Sequence, residues 1–297
     1  MKKFDIIGRT KIWLGLSAVL IVTSIALIGI LGLNLGIDFT GGSLIEVDLG
    51  QEFDALEVDA QLLDAGFEGV VQAGEGNRAL VRLETLTQEQ YEEVIATLAV
   101  HYSEVDELRF DAVGPVIGEE LKRKSLWSVA VLIILIVLYV AWAFRKVSKP
   151  VASWKYGILT IVAALHDVLI PLGVFALLGS IAGWQVDTAV IAALLTIMGY
   201  SINDTIVVFD RTRENLVNER HSSASFGEIV NKSVVQTIAR SVNTSLTTLL
   251  VLMAIFLFGG STTQPFVFAL IIGIISGAYS SIFVASPLLV LWERKRK

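Results

Sequence analysis

Ser241–Trp292 reads SVNTSLTTLLVLMAIFLFGGSTTQPFVFALIIGIISGAYSSIFVASPLLVLW, 52 residues without an Asp, Glu, Lys or Arg. As one helix it would be about 78 Å long at 1.5 Å per residue, against roughly 30 Å for the hydrocarbon core of a bilayer. The run therefore crosses twice, and its sequence shows where it breaks. Gly259-Gly260-Ser261-Thr262-Thr263-Gln264-Pro265 combines helix-breaking Gly and Pro with polar residues that prefer water. Spans at about 240–258 and 265–292 follow.

Working outward, Ser125–Phe144 and Ile12–Leu33 carry no charge, while Tyr156–Leu178 and Val186–Phe209 are apolar runs interrupted by a few ionisable residues. Six transmembrane helices result, at about 12–33, 125–144, 156–178, 186–209, 240–258 and 265–292. The chain is 54% hydrophobic and 18% charged, with mean hydropathy +0.68, whereas a soluble domain has about 45–50% apolar and 25% charged residues. This pattern excludes an ordinary cytosolic enzyme and defines an α-helical polytopic membrane protein. Lys2, Lys3, Arg9 and Lys11 before Ile12 raise the question of a signal peptide. The 22-residue apolar run exceeds the roughly 7–15 residues of a cleaved signal, so it is expected to stay as an anchor.

Charge divides the chain. Asn34–Lys124 holds 20 acids against 6 bases, a net of −14, and the remainder holds 9 against 17, a net of +8. Basic residues outside that segment cluster in the N-terminus, in Arg145–Lys155, in Asp210–Ala239 and in the tail Arg294–Lys297, whereas Gly179–Trp184 and Gly259–Gln264 carry no charge. By the excess of Lys and Arg in cytoplasmic loops, both termini are cytoplasmic and Asn34–Lys124 lies outside. Lys122-Arg123-Lys124 runs against that trend, but long translocated segments largely escape the rule. The bases adjoin apolar helices, and nothing suggests nucleic-acid binding. Without cysteine there is no disulfide and no thiolate metal site.

The acidic segment has the pattern of a small α+β domain. Ser43–Leu49 alternates as a strand, and Asp54 caps a helix through Ala65 with Leu56, Leu62 and Leu63 inward. Val70–Ala73 and Ala79–Leu83 flank the hairpin signal Gly74-Glu75-Gly76-Asn77. Thr87-Gln88-Glu89-Gln90 is a capping box opening a helix to about Tyr102, and Leu108–Val113 is a last strand. The order βαββαβ predicts a ferredoxin-like extracytoplasmic domain between helices 1 and 2. The division expected is 1–33, cytoplasmic N-terminus and first span; 34–124, outer domain; 125–292, five-helix bundle; and 293–297, basic cytoplasmic tail.

Ionisable groups in apolar helices are costly and mark candidate working residues. His166-Asp167 interrupt the third span, Asp204 lies in the fourth, and Arg240 opens the fifth. Asp204 is 17 residues beyond Asp187 and Arg240 is 19 before Gly259, depths of about 25 and 28 Å from the outer ends. The two can therefore face each other, either as a permanent brace or as a bridge that opens when Asp204 carries a proton. The polar run Gly199, Tyr200, Ser201, Asn203, Asp204 and Thr205 is more than a brace requires. His166 is a core histidine or a proton-transfer partner of Asp167, since imidazole titrates near neutrality. Asp187 fits a helix cap, and Asp210 and Arg211 fit the cytoplasmic boundary. Gly273, Gly277 and Ser281 recur every four residues and permit close helix packing. No Walker loop, H-E-x-x-H or G-x-S-x-G occurs, so no catalytic, metal or cofactor site is expected.

Leu35-Gly36-Ile37-Asp38-Phe39-Thr40-Gly41-Gly42-Ser43 after the first span resembles a hallmark of the SecD/SecF family, part of the resistance-nodulation-division superfamily. Val113-Gly114-Pro115-Val116-Ile117-Gly118-Glu119-Glu120-Leu121 resembles that family's segment before span two. His166-Asp167, Met198–Arg211 with Ser201-Ile202-Asn203-Asp204 at its centre, and Arg240-Ser241-Val242-Asn243-Thr244-Ser245 are similar to its SecF members. The single short outer domain points the same way. The resemblance implies a bacterial plasma-membrane subunit that pairs with SecD and joins the SecYEG channel, with SecA in the same pathway and YajC alongside. It would use the proton gradient to draw unfolded polypeptide outward, with no cofactor. By motif position it implies a proton pathway through Asp204 and Arg240, with His166 and Asp167 nearby. Gly36, Asp38, Gly41 and Gly42 form the family motif, read either as a hinge or as a tight turn into the first strand. Two other classes stay open: a half-transporter of the same superfamily exporting lipid or small molecules, and a passive scaffold.

The topology is testable in this cysteine-free chain with single cysteines at Asn77, Ser148 and Ser222. On intact cells an impermeant thiol reagent is expected to label only Asn77→Cys. External labelling of Ser148→Cys would exclude the six-span arrangement.

Overall fold

A computed structural model of the chain describes residues 5–74, 76–143 and 151–294. It forms two compact units: Asn34–Trp127 with Ala182–Thr188, and Met1–Leu33 with Ser128–Ile181 and Ala189–Lys297.

In the first unit, α2 (Ile37–Thr40) is followed by β1 (Gly42–Asp48), α3 (Ala55–Asp64), β2 (Gly69–Ala73), β3 (Arg78–Leu83), α4 (Gln88–His101) and β4 (Asp106–Val113). The strands form one antiparallel sheet in the order β2-β3-β1-β4, with Ile45 opposite Val81 on one side and Phe110 on the other. Alternation along β1 sends Ile45 and Val47 to the face where Val58 and Leu62 of α3 and Val94 and Leu98 of α4 pack, and all six are buried. The helix starts follow their sequence signals. The Asp54 carboxylate accepts from the Leu56 N–H at 2.9 Å, and Thr87 and Gln90 exchange both capping-box bonds. Gly76 supplies the left-handed backbone of the β2–β3 turn at φ 66°, and the Gly74 N–H donates to the Arg78 carbonyl at 2.7 Å. Glu75 of that hairpin lies outside the described residues.

The inward face of α3 differs from the expectation. Leu62 is buried, but Leu56 and Leu63 are 78% and 58% exposed, and Val58 takes the inward position. Val58 and Leu62 are one helical turn apart, whereas Leu56 and Leu63 flank that line by about 200° and 100° from Val58 and Leu62 respectively. Counting leucines selected the larger side chains rather than the stripe.

The second unit contains α1 (Thr10–Leu31), most of α5 (Pro115–Ala143) and α6 (Ser153–Ala182), α7 (Thr188–Asn218), α8 (Phe226–Phe258) and the run α9 (Gln264–Ser280), a π-helical turn (Ser281–Ala285) and α10 (Ser286–Arg294). Among the described residues six stretches are long and apolar enough to cross a membrane; the protein is a multi-pass membrane protein. Several helices outrun their apolar segments. α5 starts at Pro115, so Lys124 lies inside a helix. α8 starts at Phe226, which places Arg240 fourteen residues within it rather than at its opening. Hydropathy marks the part of a helix that meets hydrocarbon, and hydrogen bonding carries it further. The basic positions Lys2, Lys3, Arg145, Lys146, Lys149 and Lys295–Lys297, together with Phe144 and Ser148, lie outside the described residues.

The α3 assignment separates two leucines six residues apart. Leu62→Ala is expected to cost about 2–5 kcal/mol of domain stability, and Leu56→Ala within about 0.5 kcal/mol. Hydrogen exchange of the sheet amides in the solubilised protein measures both, and equal losses would contradict the packing.

Candidate functional site

Asp167 is fully buried on α6. Pro171, four residues on in the same helix, has no N–H, so the Asp167 carbonyl lacks its usual helical donor. The side chain is richly supplied instead. Oδ1 accepts from Ser276 Oγ at 2.8 Å and contacts His166 Nδ1 at 2.8 Å, while Oδ2 accepts from Ser201 Oγ at 2.5 Å and Ser280 Oγ at 2.6 Å. A carboxylate offers about four lone-pair positions, and all are engaged. With Nδ1 as the donor toward Asp167, His166 presents Nε2 as a buried atom without a hydrogen-bond partner. Its ring stacks on Tyr279 with centroids 6.1 Å apart, and the Tyr279 hydroxyl donates to the Trp13 carbonyl at 2.8 Å.

Asp204 is buried on α7, one turn beyond Ser201. Its two oxygens accept from Ser241 Oγ of α8 at 2.6 Å and Ser281 Oγ of the π turn at 2.7 Å. Two donors leave about half of its acceptor capacity open. Beside it, Thr205 Oγ1 is buried and unpartnered. Among the described residues no ion pair joins Asp204 to Arg240. Arg240 is exposed on α8, and its neighbour Ser241 points at the acid. The depths expected for the pair are reproduced, since Asp204 lies about 24 Å along α7 and Arg240 about 27 Å before the end of α8. Their azimuths differ from a bridge: successive helical residues point about 100° apart.

The two carboxylates share their supports. Ser201 and Asp204 stand on α7, and the consecutive Ser280 and Ser281 serve one acid each. π-helical turns are commonly found at functional sites, and here the wide turn opens at Ser281. Small residues permit the approach. A Cβ on Gly273 would strike the Ile197 side chain of α7, and one on Gly277 would lie 3.3 Å from Ser201 Cβ, so the close helix neighbour belongs to this chain. Asn203 and Gly199 of the polar run are exposed, and Asp210 pairs with Arg213 at 3.3 Å. Sequence reasoning missed Ser241, Ser276 and Ser280 as ligands of the acids. The available signal was the four-residue spacing of Ser276 and Ser280 in an apolar span. Among the described residues no group of three or more His, Cys, Asp or Glu is placed to hold a metal ion.

Within the other unit, Gly36, Asp38, Gly41 and Gly42 surround α2. Gly41 and Gly42 have φ of 74° and 132°, which glycine adopts without strain. Asp38 Oδ2 accepts from the backbone N–H of Thr188 at 2.8 Å and from its hydroxyl at 2.5 Å. Asp38 thus reaches the first residue of α7 from a distant part of the chain.

Six helices long and apolar enough to span a membrane, hydroxyl-held acids in one unit and a small sheet in the other describe a polytopic membrane protein. The description "Protein export membrane protein SecD/SecF, C-terminal" matches residues 93–295, and "SecD/SecF GG Motif" matches residues 26–52. The chain belongs to the SecD/SecF family. It is 42% identical to a protein translocase subunit SecF of Thermobaculum terrenum, covering 94% of this chain and 91% of that one. It also resembles the crystal structure of SecDF, a translocon-associated membrane protein from Thermus thermophilus, with TM-score 0.88 and 37% identity over 98% of this chain. Against SecDF in a super-membrane-facing form the TM-score is 0.71, again at 37% identity, over the whole of this chain. The chain spans 39% of each SecDF polypeptide.

The glycine contacts predict a graded series. Gly273→Ala is expected to destabilise the bundle by about 1–3 kcal/mol through overpacking, with Gly277→Ala smaller. Gly199→Ala has open space and is expected to be neutral or stabilising by up to about 1 kcal/mol. Thermal unfolding in detergent checks the order, and a Gly199→Ala loss as large as that of Gly273→Ala would refute it.

Proposed function

We propose that this chain works as the SecF subunit of the Sec protein-export machinery, pairing with SecD at the SecYEG channel. There it uses the proton gradient to drive late steps of translocation of unfolded polypeptide. SecA supplies the earlier, ATP-driven push, and YajC accompanies the complex. The small domain is read as ferredoxin-like and extracytoplasmic, with both chain termini cytoplasmic and Gly36, Gly41 and Gly42 as the tight turn into its first strand. The sheet order β2-β3-β1-β4 and the segregation of bases from the acidic segment support that reading.

Pairing with SecD is supported by the SecDF relatives and by α8. Gln236, Arg240, Asn243, Thr244 and Thr247 are exposed on that helix. A stripe of this polarity is unsuited to lipid and calls for a protein or water-lined neighbour.

One observation carries the proton role: among the described residues, Asp204 is buried, holds only two hydroxyl donors and has no cation paired with it. An ionised carboxylate there is costly, and two events relieve the cost: binding a proton, or the approach of Arg240. Arg240 immediately precedes Ser241, so a rotation of α8, or an extension of the long Arg side chain, exchanges hydroxyl for guanidinium at the acid. Asp167, with all acceptor positions filled, serves as the steadier anion, and His166 Nε2 beside it is the open position at which a proton enters the pathway. Each charge moved across 100 mV is worth about 2.3 kcal/mol, enough to bias a conformational change of a few kcal/mol.

Asp204→Asn is expected to assemble with SecD and to retain SecA-driven export in membrane vesicles. Its gradient-dependent export should fall to that of vesicles lacking the subunit. Arg240→Lys keeps the charge without the planar fork and is expected to be partly active. Export by Asp204→Asn at the wild-type rate under a gradient would refute the proton role.

A further inference from the structure

The segment Asn34–Gly42 is bonded along its length to the residues that precede α7. The Val186 N–H donates to the Asn34 carbonyl at 2.8 Å, and the Gly36 N–H donates to the Val186 carbonyl at 2.9 Å, with Leu35 and Val186 forming a parallel bridge. The Asn34 side-chain amide donates to the Gly183 carbonyl at 3.1 Å. Asp38 then takes both donors of Thr188. On its other side the segment abuts the sheet and α5. Gly42 pairs with Val113 of β4, a Cβ on Gly41 would lie 2.9 Å from Pro115 Cα, and one on Gly118 would lie 2.9 Å from the Gly41 nitrogen. One short stretch thus joins the start of α7 to β1, β4 and α5, in a packing too tight for added carbon.

α7 carries Asp204 sixteen residues beyond Thr188. A helix is stiff over that length, about 24 Å, and a carboxylate cap on its first turn ties its end to whatever bears the carboxylate. We propose that Asp38 is a positioning residue that couples displacement of the small domain to α7, and so to the proton-exchanging Asp204. The inference rests on the reading of Asp204 given above. Coupling of this kind is reciprocal: proton exchange at Asp204 moves the domain, and a load on the domain alters proton exchange. Asp38 itself carries no proton in this scheme. It acts through its acceptor oxygen.

That distinction sets the test, made on the full chain in complex with SecD in vesicles, with gradient-dependent export and proton flux read separately. Asn keeps an acceptor oxygen on the same stem, so Asp38→Asn is expected within about twofold of wild type for export. Asp38→Ala is expected to lose at least about fivefold in gradient-dependent export, as a lost cap of roughly 1 kcal/mol implies, while proton flux continues. Equal failure of the Asn and Ala variants, or loss of flux together with export in Asp38→Ala, would overturn the coupling role. If Asp38→Ala does not assemble, Thr188→Val is compared with Thr188→Ser. The coupling role requires export loss with flux retained in the first and near-normal export in the second, and any other pattern overturns it. Asp204→Asn serves as reference. Full export by Asp204→Asn would fail the underlying reading, whereas loss in Asp204→Asn with full export in Asp38→Ala would fail the coupling alone.

Discussion

Donation from serine hydroxyls to two carboxylates inside an apolar bundle is the interaction on which the membrane unit depends. Asp167 and Asp204 sit where water does not satisfy them, and five serines on α7, α8, α9 and the π turn take its place. Each such bond fixes the rotation of the helix that provides it, because a hydroxyl on a one-carbon stem has little reach. Glycines 273 and 277 are the steric counterpart, since they bring α9 close enough to α7 for Ser276, Ser280 and Ser281 to make contact. Polar satisfaction and close packing are therefore one requirement here.

The supports are unequal, and the inequality gives the two acids different chemistry. Asp167 is surrounded by four donors, one of them an imidazole. Asp204 has two, next to an unpartnered threonine hydroxyl, and one of those donors, Ser241, follows Arg240 in sequence. A saturated acceptor resists change, whereas a half-saturated one has room for a proton or a guanidinium. The proposed cycle, in which one acid holds the helices and the other exchanges its partner, rests on this difference in hydrogen-bond count.

Much of this architecture was legible in the sequence. Long apolar runs and the Gly-Pro break after Phe258 locate all six spans, and the caps at Asp54 and Thr87 locate α3 and α4 of the small domain. Helix ends beyond the bilayer were not legible, because α5 and α8 continue through residues that no longer need to be apolar. Leu56 and Leu63 misled because size was read before phase. At the acids, depth along the helix was recoverable by counting, but azimuth was not. Arg240 and Ser241 share a level and point in different directions, and a serine in an apolar helix usually bonds to its own backbone. The tie between Asp38 and Thr188 spans 150 residues, a distance at which no local pattern signals a contact.

The π turn has a geometric consequence of its own. In an ordinary α-helix a step of four residues over-rotates by about 40°, so a motif repeated every fourth position winds off its face within three or four repeats. Gly273, Gly277, Ser281, Ala285 and Leu289 follow that repeat and are all buried. The wide turn in their midst absorbs about one residue's worth of rotation, resetting the phase as a vernier corrects a scale. The last span thereby keeps a single seam from end to end, with Ser281 at the correction itself.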